Sequence, residues 1–379
     1  MALLCLAGFN PLEIHAQSRT DFRNGFYHSA EGLAYAEKLT ASLTFKQQLA
    51  QTLMVPAWSR EALIDEPLDS VKFQKSLLYQ IKALGVGGII FFQGNPLNEL
   101  YQTNYYQQES AIPLLIGIDG EWGPAMRLTG MEKFPFQLAL GATRNRQLVY
   151  QMGLSMAAQC KRLGIHINFT PSVDVNTELN NPIIGFRSFG SNAEEVSNIS
   201  SGLTEGLQTG GVLASAKHFP GHGFVKADSH VDMPIDKRSL KSILKDDAKP
   251  YEWLNNELTA VMPAHVIYPR VDARPAGFSQ VWIQDILREQ LEFTGAVFSD
   301  DLSMAGARVL DDKPISFTQA ALAALNAGCD LALLCNQSLK GSQVIDEVLE
   351  GLAAAQVKSW WQPDELSEAR RLALLPTSP

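Results

Sequence analysis

Cysteine is scarce: the 379 residues contain four, Cys5, Cys160, Cys329 and Cys335. So few thiols exclude a disulfide-built scaffold. Cys160 falls in a helical pattern and Cys335 in a strand pattern, where a thiol serves as a small core hydrophobe. Long apolar runs are missing as well. No stretch of about 18 apolar residues occurs, which excludes a spanning helix. Positive charge is outnumbered, with 31 Lys and Arg against 40 Asp and Glu and a formal net charge of −9. A phosphate backbone requires a clustered basic surface, so nucleic acid is not an expected partner. What is present is a soluble globular composition, 46% hydrophobic and 19% charged. The length suits one large barrel or two ordinary domains.

The first residues stand apart. Residues 2–9 form a short apolar run, and Ile14-His15-Ala16-Gln17 resembles a small-residue cleavage site, although no basic segment precedes the run. Residues 1–40 are therefore read as a leader or extension, with 1–16 as a candidate signal peptide. Export follows if it is cleaved, and a cytoplasmic location if it is not.

From residue 44 onward the chain alternates. Thr44 with Gln47 makes a capping box that opens a helix, and Leu53 to Pro56 reads as the first strand. Val71, Phe73, Leu77, Leu78, Ile81 and Leu84 fall at helical spacing over 69–84, and Gly85 supplies the stop. Strands are expected at 88–92, 114–118, 165–169, 212–216, 260–263, 296–298 and 331–335. Helices are expected at 96–107, 146–163, 192–208, 248–258, 280–291 capped by Ser279, 316–327 and 337–354. Eight strands alternating with helices imply parallel β-α units. The fold class expected is α/β, a (β/α)8 TIM-type barrel in a single domain over 41–355, with 356–379 as a tail packed on it by Trp360 and Trp361.

Polar residues favour a barrel over an open sheet. Asp119, Lys217, His218, His265, Asp300 and Asn336 each stand where a strand is expected to end, and barrel active sites are built at that rim. Residues 217–230, Lys217-His218-Phe219-Pro220-Gly221-His222-Gly223-Phe224-Val225-Lys226-Ala227-Asp228-Ser229-His230, hold three of the seven histidines. A strand that ends in such groups delivers them to a surface loop, where chemistry is commonly placed.

Two carboxylates side by side, Asp300 and Asp301, repel unless they diverge, so one should face the mouth and the other turn away to cap or pair. Asp300, nearer the strand, is expected at the mouth. A carboxylate fixed there could attack a sugar anomeric carbon. Asp228 and His230 offer a second pair: in an extended loop, residues i and i+2 lie on one side, so the acid could hold an imidazole that gives and takes a proton.

Together these motifs resemble glycoside hydrolase family 3, most closely its NagZ-type β-N-acetylglucosaminidases. The stretch 217–223 followed by Asp228-Ser229-His230 is similar to the family signature. Asn181-Pro182-Ile183-Ile184-Gly185-Phe186-Arg187-Ser188-Phe189-Gly190 resembles the loop after its fourth strand, and Ser299 to Met304 its nucleophile segment. Ile118 to Glu121 resembles its sugar-binding segment and Ala327 to Asp330 its last-strand entry. The resemblance spans roughly residues 45–355. It implies Asp300 as nucleophile, His230 as acid and base, and Asp228 as partner of His230. Asp119, Arg127, Arg187, Lys217 and His218 would bind sugar hydroxyls. It also implies a retaining exo-β-N-acetylglucosaminidase acting through a covalent glycosyl-enzyme, without substrate-assisted catalysis, metal or other cofactor. The expected substrates are muropeptides of cell-wall turnover or chitooligosaccharides, and a monomer is expected. Trp122 and Pro124 depart from the usual two glycines and arginine after Glu121, which leaves the aglycone preference open.

Other readings remain at this stage. A β-glucosidase-like hydrolase or a phosphorylase of the same family would use the same residues, and a silent muropeptide-binding protein would keep them idle. A metal-dependent barrel is disfavoured because no His-X-His pair ends a first strand. Glu121 and His265 could touch substrate or support residues that do.

Overall fold

The computed structural model describes residue 38 and residues 41–59, 76–230, 233–335, 343–362 and 364–375. The expected leader, the first turns of the 69–84 helix and Asn336 lie outside the described residues.

Eight strands form one parallel sheet: β1 Leu53–Ser59, β2 Gly88–Gly94, β3 Leu115–Ile118, β4 Ile167–Asn168, β5 Leu213–Phe219, β6 Ala260–Pro263, β7 Ala296–Val297 and β8 Ala332–Leu333. From β1 to β7 each strand pairs with the next in the chain, and β8 pairs with β1 on its other side. The sheet curls until its end strands meet at a parallel bridge between Phe298 and Leu331. Amide donation from Ser299 to the Leu331 carbonyl, 2.8 Å, and from Leu302 to Leu333, 2.9 Å, secures the seam.

The strands read as nearly unbroken apolar runs because both faces are buried. Side chains alternate across a strand. Met54, Ile90, Leu115, Ile167, Phe169, Met262, Phe298 and Leu333 accordingly form one cluster. Their neighbours Val55, Ile89, Phe91, Ile116, Val261 and Val297 pack in a second cluster with the helices.

Helix starts follow local chemistry. The Thr44–Gln47 capping box opens Phe45–Ala50, Asn95 caps Pro96–Glu109, Asn192 caps Ala193–Thr209, and Ser316 with Gln319 forms a second capping box. Ser279 accepts from the Trp282 amide at 3.1 Å, as its position suggests. Gly85 takes the left-handed conformation, φ +73°, that ends its helix.

Several boundaries differ. β5 runs on through Lys217 and His218 to Phe219, because Lys217 finds carboxylates inside the protein and need not turn to water. β4, β7 and β8 are shorter than their apolar runs. The expected 248–258 helix is Lys249–Leu254, preceded by a separate helix Leu240–Lys245. Two small antiparallel hairpins, Ile267–Tyr268 with Asp272–Pro275 and Val309–Leu310 with Lys313–Pro314, were not signalled by any hairpin dipeptide. Trp361 is buried in the main cluster as expected of the tail. Trp360 is not: it is 65% exposed, with the Lys358 ammonium 4.5 Å from its ring.

Candidate active site

The polar residues converge where the strands end. Lys217, on β5, sits between two acids that follow β3, with Nζ 2.5 Å from Asp119 Oδ1 and 2.9 Å from Glu121 Oε1. Glu121 in turn receives a bidentate grip from Arg187, Nη2 to Oε1 at 2.7 Å and Nε to Oε2 at 3.0 Å. Asp119 is paired with Arg127, whose Nε also donates to the Asp119 carbonyl at 3.0 Å. Three cations thus surround two carboxylates, a well-paired arrangement that a buried lysine requires.

Burial alone would raise the Glu121 carboxyl, but Arg187 and Lys217 outweigh it and hold it at about 2. Burial likewise opposes ionisation of Asp119, and Lys217 and Arg127 drive it well below the usual range. Asp119 is the more accessible of the two, 22% exposed against 0% for Glu121. Asp119 can therefore meet a ligand, whereas Glu121 works by orienting Arg187 and Lys217. The turn that carries both is held by Asn168 of β4, which accepts from the Gly120 amide and donates to its carbonyl, each at 3.0 Å.

Next along β5, His218 Nδ1 lies 2.7 Å from Asp174 Oδ2. The other Asp174 oxygen accepts from the His222 amide at 2.6 Å. Burial would keep Asp174 neutral, yet His218 outweighs it and the carboxyl lies well below its ordinary range. Asp174 was missed in the sequence. Its only signal was an acid between Val173 and Val175, apolar neighbours that force a buried carboxylate to find partners. Asn181 ties the two loops together, donating to the carbonyls of His222 at 2.7 Å and Val225 at 2.9 Å. Gly223 permits this approach, since a Cβ there would stand 1.9 Å from the Val175 carbonyl oxygen.

The neighbouring acids do diverge. Asp301 turns away, accepting from the Ser303 amide at 2.9 Å and the Cys335 amide at 3.1 Å. Asp300 Oδ1 takes one local bond, 2.8 Å from the Asp301 amide. Burial opposes its ionisation, but His265, His218 and Lys217 together bring the carboxyl below the usual range. Burial in turn lowers the pKa of His265, against the opposing pull of Asp300 and Asp301. Its Nε2 is 3.2 Å from the Asp301 carbonyl oxygen, which places it behind the acidic pair.

Asp228 and His230 form their expected pair, Oδ1 to Nδ1 at 2.8 Å, and the same oxygen accepts from the His230 amide at 2.8 Å. The His230 side chain is 58% exposed. Among the described residues no hydrogen bond joins this pair to Asp300: the structure links Asp119, Arg127, Arg187 and Lys217 through one ion-paired network with Glu121, sets His218 and Asp300 within electrostatic reach of each other, and leaves the pair on the loop after β5. Backbone bonds link that loop to the segment after Asp300, with Gly306 donating to Ser229 at 3.0 Å and Ala305 to His230 at 3.4 Å.

Trp122 stacks edge-on against Phe136 at 4.9 Å and lies 6.1 Å from Phe186, an aromatic group beside Arg187. Among the described residues no group of three or more His, Cys, Asp or Glu is arranged to hold a metal. No helix among them is long and apolar enough to cross a membrane.

A half-buried carboxylate, Asp300, thus stands near fixed cations and imidazoles, with a carboxylate–imidazole pair on the loop after β5. The Glycosyl hydrolase family 3 N terminal domain matches residues 44–359. A beta-hexosaminidase of Bordetella avium is 42% identical over 299 residues, covering 76% of this chain and 81% of its own. NagZ from Neisseria gonorrhoeae, solved also in complex with N-trifluoroacetyl-D-glucosamine, superposes with a TM-score of 0.70 and 31% identity over 86% of this chain and 90% of its own. A family 3 β-N-acetylglucosaminidase from a Paenibacillus species superposes with a TM-score of 0.77 and 31% identity over 88% of this chain, which spans 62% of that longer protein.

Proposed function

The chain belongs to glycosyl hydrolase family 3 and is a glycoside hydrolase, and from that premise we propose that it is a retaining exo-β-N-acetylglucosaminidase. It removes terminal β-linked N-acetylglucosamine from cell-wall fragments or chitooligosaccharides. The observation that carries this reading is Asp300, a half-buried carboxylate just past the end of β7, whose pKa is brought below the usual range by His265, His218 and Lys217 against the effect of burial.

In the first step Asp300 attacks the anomeric carbon and the glycosidic C–O bond breaks. His230, oriented through Nδ1 by Asp228, gives its proton to the departing oxygen. In the second step the same imidazole takes a proton from water, whose oxygen displaces the Asp300 ester and restores the β configuration. Asp119, Arg127, Arg187, Lys217 and His218 hold the sugar hydroxyls, and contacts that tighten as the ring gains positive character lower the barrier. Residues 41–355 would be the catalytic (β/α)8 barrel in one domain, with 356–379 as its tail. The Phe298–Leu331 bridge and buried Trp361 support that division.

A mechanism-based fluorosugar should label Asp300, and Asp300→Ala should lose at least about 10³-fold in kcat on an aryl β-N-acetylglucosaminide. A label on another residue would overturn the assignment. Running the assay with and without phosphate separates water from phosphate as acceptor.

A further inference from the structure

The His222 ring packs edge-on against that of His218, with centroids 6.0 Å apart, and it also reaches the loop that carries the proton-transferring pair. Its Nε2 lies 3.2 Å from Ser229 Oγ, and that serine stands between Asp228 and His230. Side chains alternate in an extended segment. Asp228 and His230 therefore share the outward side, and Ser229 points the opposite way, into the protein. The exposures agree: Ser229 is 3% exposed, against 58% for the His230 side chain.

The anchor itself is rigid. His222 is 2% exposed, its amide is held by Asp174 at 2.6 Å and its carbonyl by Asn181 at 2.7 Å. Among the described residues its buried Nδ1 has no partner and Ser229 is the ring's hydrogen-bonding contact. Burial, aided by His218, lowers the His222 pKa to about 4, so the ring is neutral at physiological pH. On the other side the Ser229 carbonyl accepts from Gly306, six residues beyond Asp300. Ser229 is thus clasped between the β5 scaffold and the segment that follows the nucleophile.

We infer that His222 and Ser229 form a latch that seats the Asp228–His230 pair over the sugar site, which makes His222 a positioning residue for proton transfer. This inference rests on the reading of Asp228 and His230 as the acid and base. Because Asp174 binds both His218 and the His222 backbone, the latch and the sugar site share one buried carboxylate. A displaced latch changes where the His230 proton arrives and leaves the attack of Asp300 untouched.

Leaving groups separate these effects. A dinitrophenyl group departs without a proton, whereas an alkyl or sugar leaving group needs one, and kcat/KM reports the first step for both. Ser229→Ala and His222→Phe should lower kcat/KM roughly tenfold or more on the poor leaving group, the loss expected of one misplaced hydrogen bond in the transition state. On the activated substrate the change should stay within about threefold, with the affinity for N-acetylglucosamine as a competitive inhibitor unchanged. His222→Gln, whose amide can reach Ser229, should recover most of the loss. Ser229→Ala combined with His230→Ala should be no worse than His230→Ala alone.

Equal losses on both substrates, or a loss matched by weaker inhibitor binding, would mean that His222 only supports the fold. His230→Ala is the internal control. If it shows no leaving-group dependence, the assignment of acid and base fails. If it does and Ser229→Ala behaves as wild type, the latch alone is wrong.

Discussion

Glu99 is buried in the Pro96–Glu109 helix, and neither of its carboxylate oxygens is hydrogen-bonded among the described residues. Desolvation raises its pKa from 4.5 to about 8. Between those values the folded chain keeps the proton that the unfolded chain releases, so stability falls as pH rises, by about 1.4 kcal/mol per unit. Below pH 4.5 both states hold the proton and nothing is lost. Glu99→Gln removes the titration, and it should stabilise the protein by a few kcal/mol at pH 8 and leave it nearly unchanged at pH 4.5. Urea midpoints at the two pH values give the answer, and a gap that does not widen with pH would show that Glu99 is ionised in the fold. Sequence alone does not distinguish Glu99 from Glu109, the other acid of the same helix, whose half-buried carboxylate pairs with Lys82. The proposed site is more legible, since Asp119, Lys217, His218 and Asp300 are polar residues at the ends of apolar runs. Asp174 and Glu121 were harder to place, because their roles rest on partners 44 and 66 positions away.

The elements were legible where caps and periodicity agreed, as in Arg146–Arg162 and Ala193–Thr209. Their mutual packing was not, because it depends on glycines that carry no periodic signal. Gly153 and Gly206 face each other, and a Cβ on Gly206 would lie 2.3 Å from the Tyr150 carbonyl oxygen and 2.9 Å from Gly153 Cα. Backbone cannot yield as a flexible side chain can. Gly206→Ala should therefore destabilise the protein by about 1–3 kcal/mol despite the better helix propensity of alanine. A calorimetric melting temperature at or above wild type would show that the two helices can separate freely. Boundaries failed for a different reason. A lysine ordinarily ends a buried strand, but in β5 the charge of Lys217 is met by Asp119 and Glu121, so the ladder continues past it.

At the scale of the whole molecule, the curled sheet has two ends with separate duties. Asp119, Lys217 and Asp300 gather where the strands finish, while Asp330 lies where β8 begins. Asp330 is 0% exposed and is held by Arg288 at 3.0 Å, by the Val297 amide at 2.8 Å and by a bidentate grip from Arg370 on the C-terminal helix Glu365–Ala373. That grip fastens the tail across the seam between β7 and β8. The alternation of strands and helices made the seam foreseeable, but nothing in the local sequence links residue 370 to residue 330. Removing one partner from a buried ion pair leaves an uncompensated charge, so Arg370→Ala should lose about 3–5 kcal/mol of stability. Arg288 remains to share the carboxylate, which favours the lower figure. Because the seam's tail end is remote from the proposed sugar site, KM for an aryl β-N-acetylglucosaminide should stay within about twofold of wild type below the melting transition. Urea unfolding paired with steady-state kinetics tests both halves. Unchanged stability would mean that the tail does not fasten the seam, and a raised KM at full folding would mean that the two ends of the sheet are coupled.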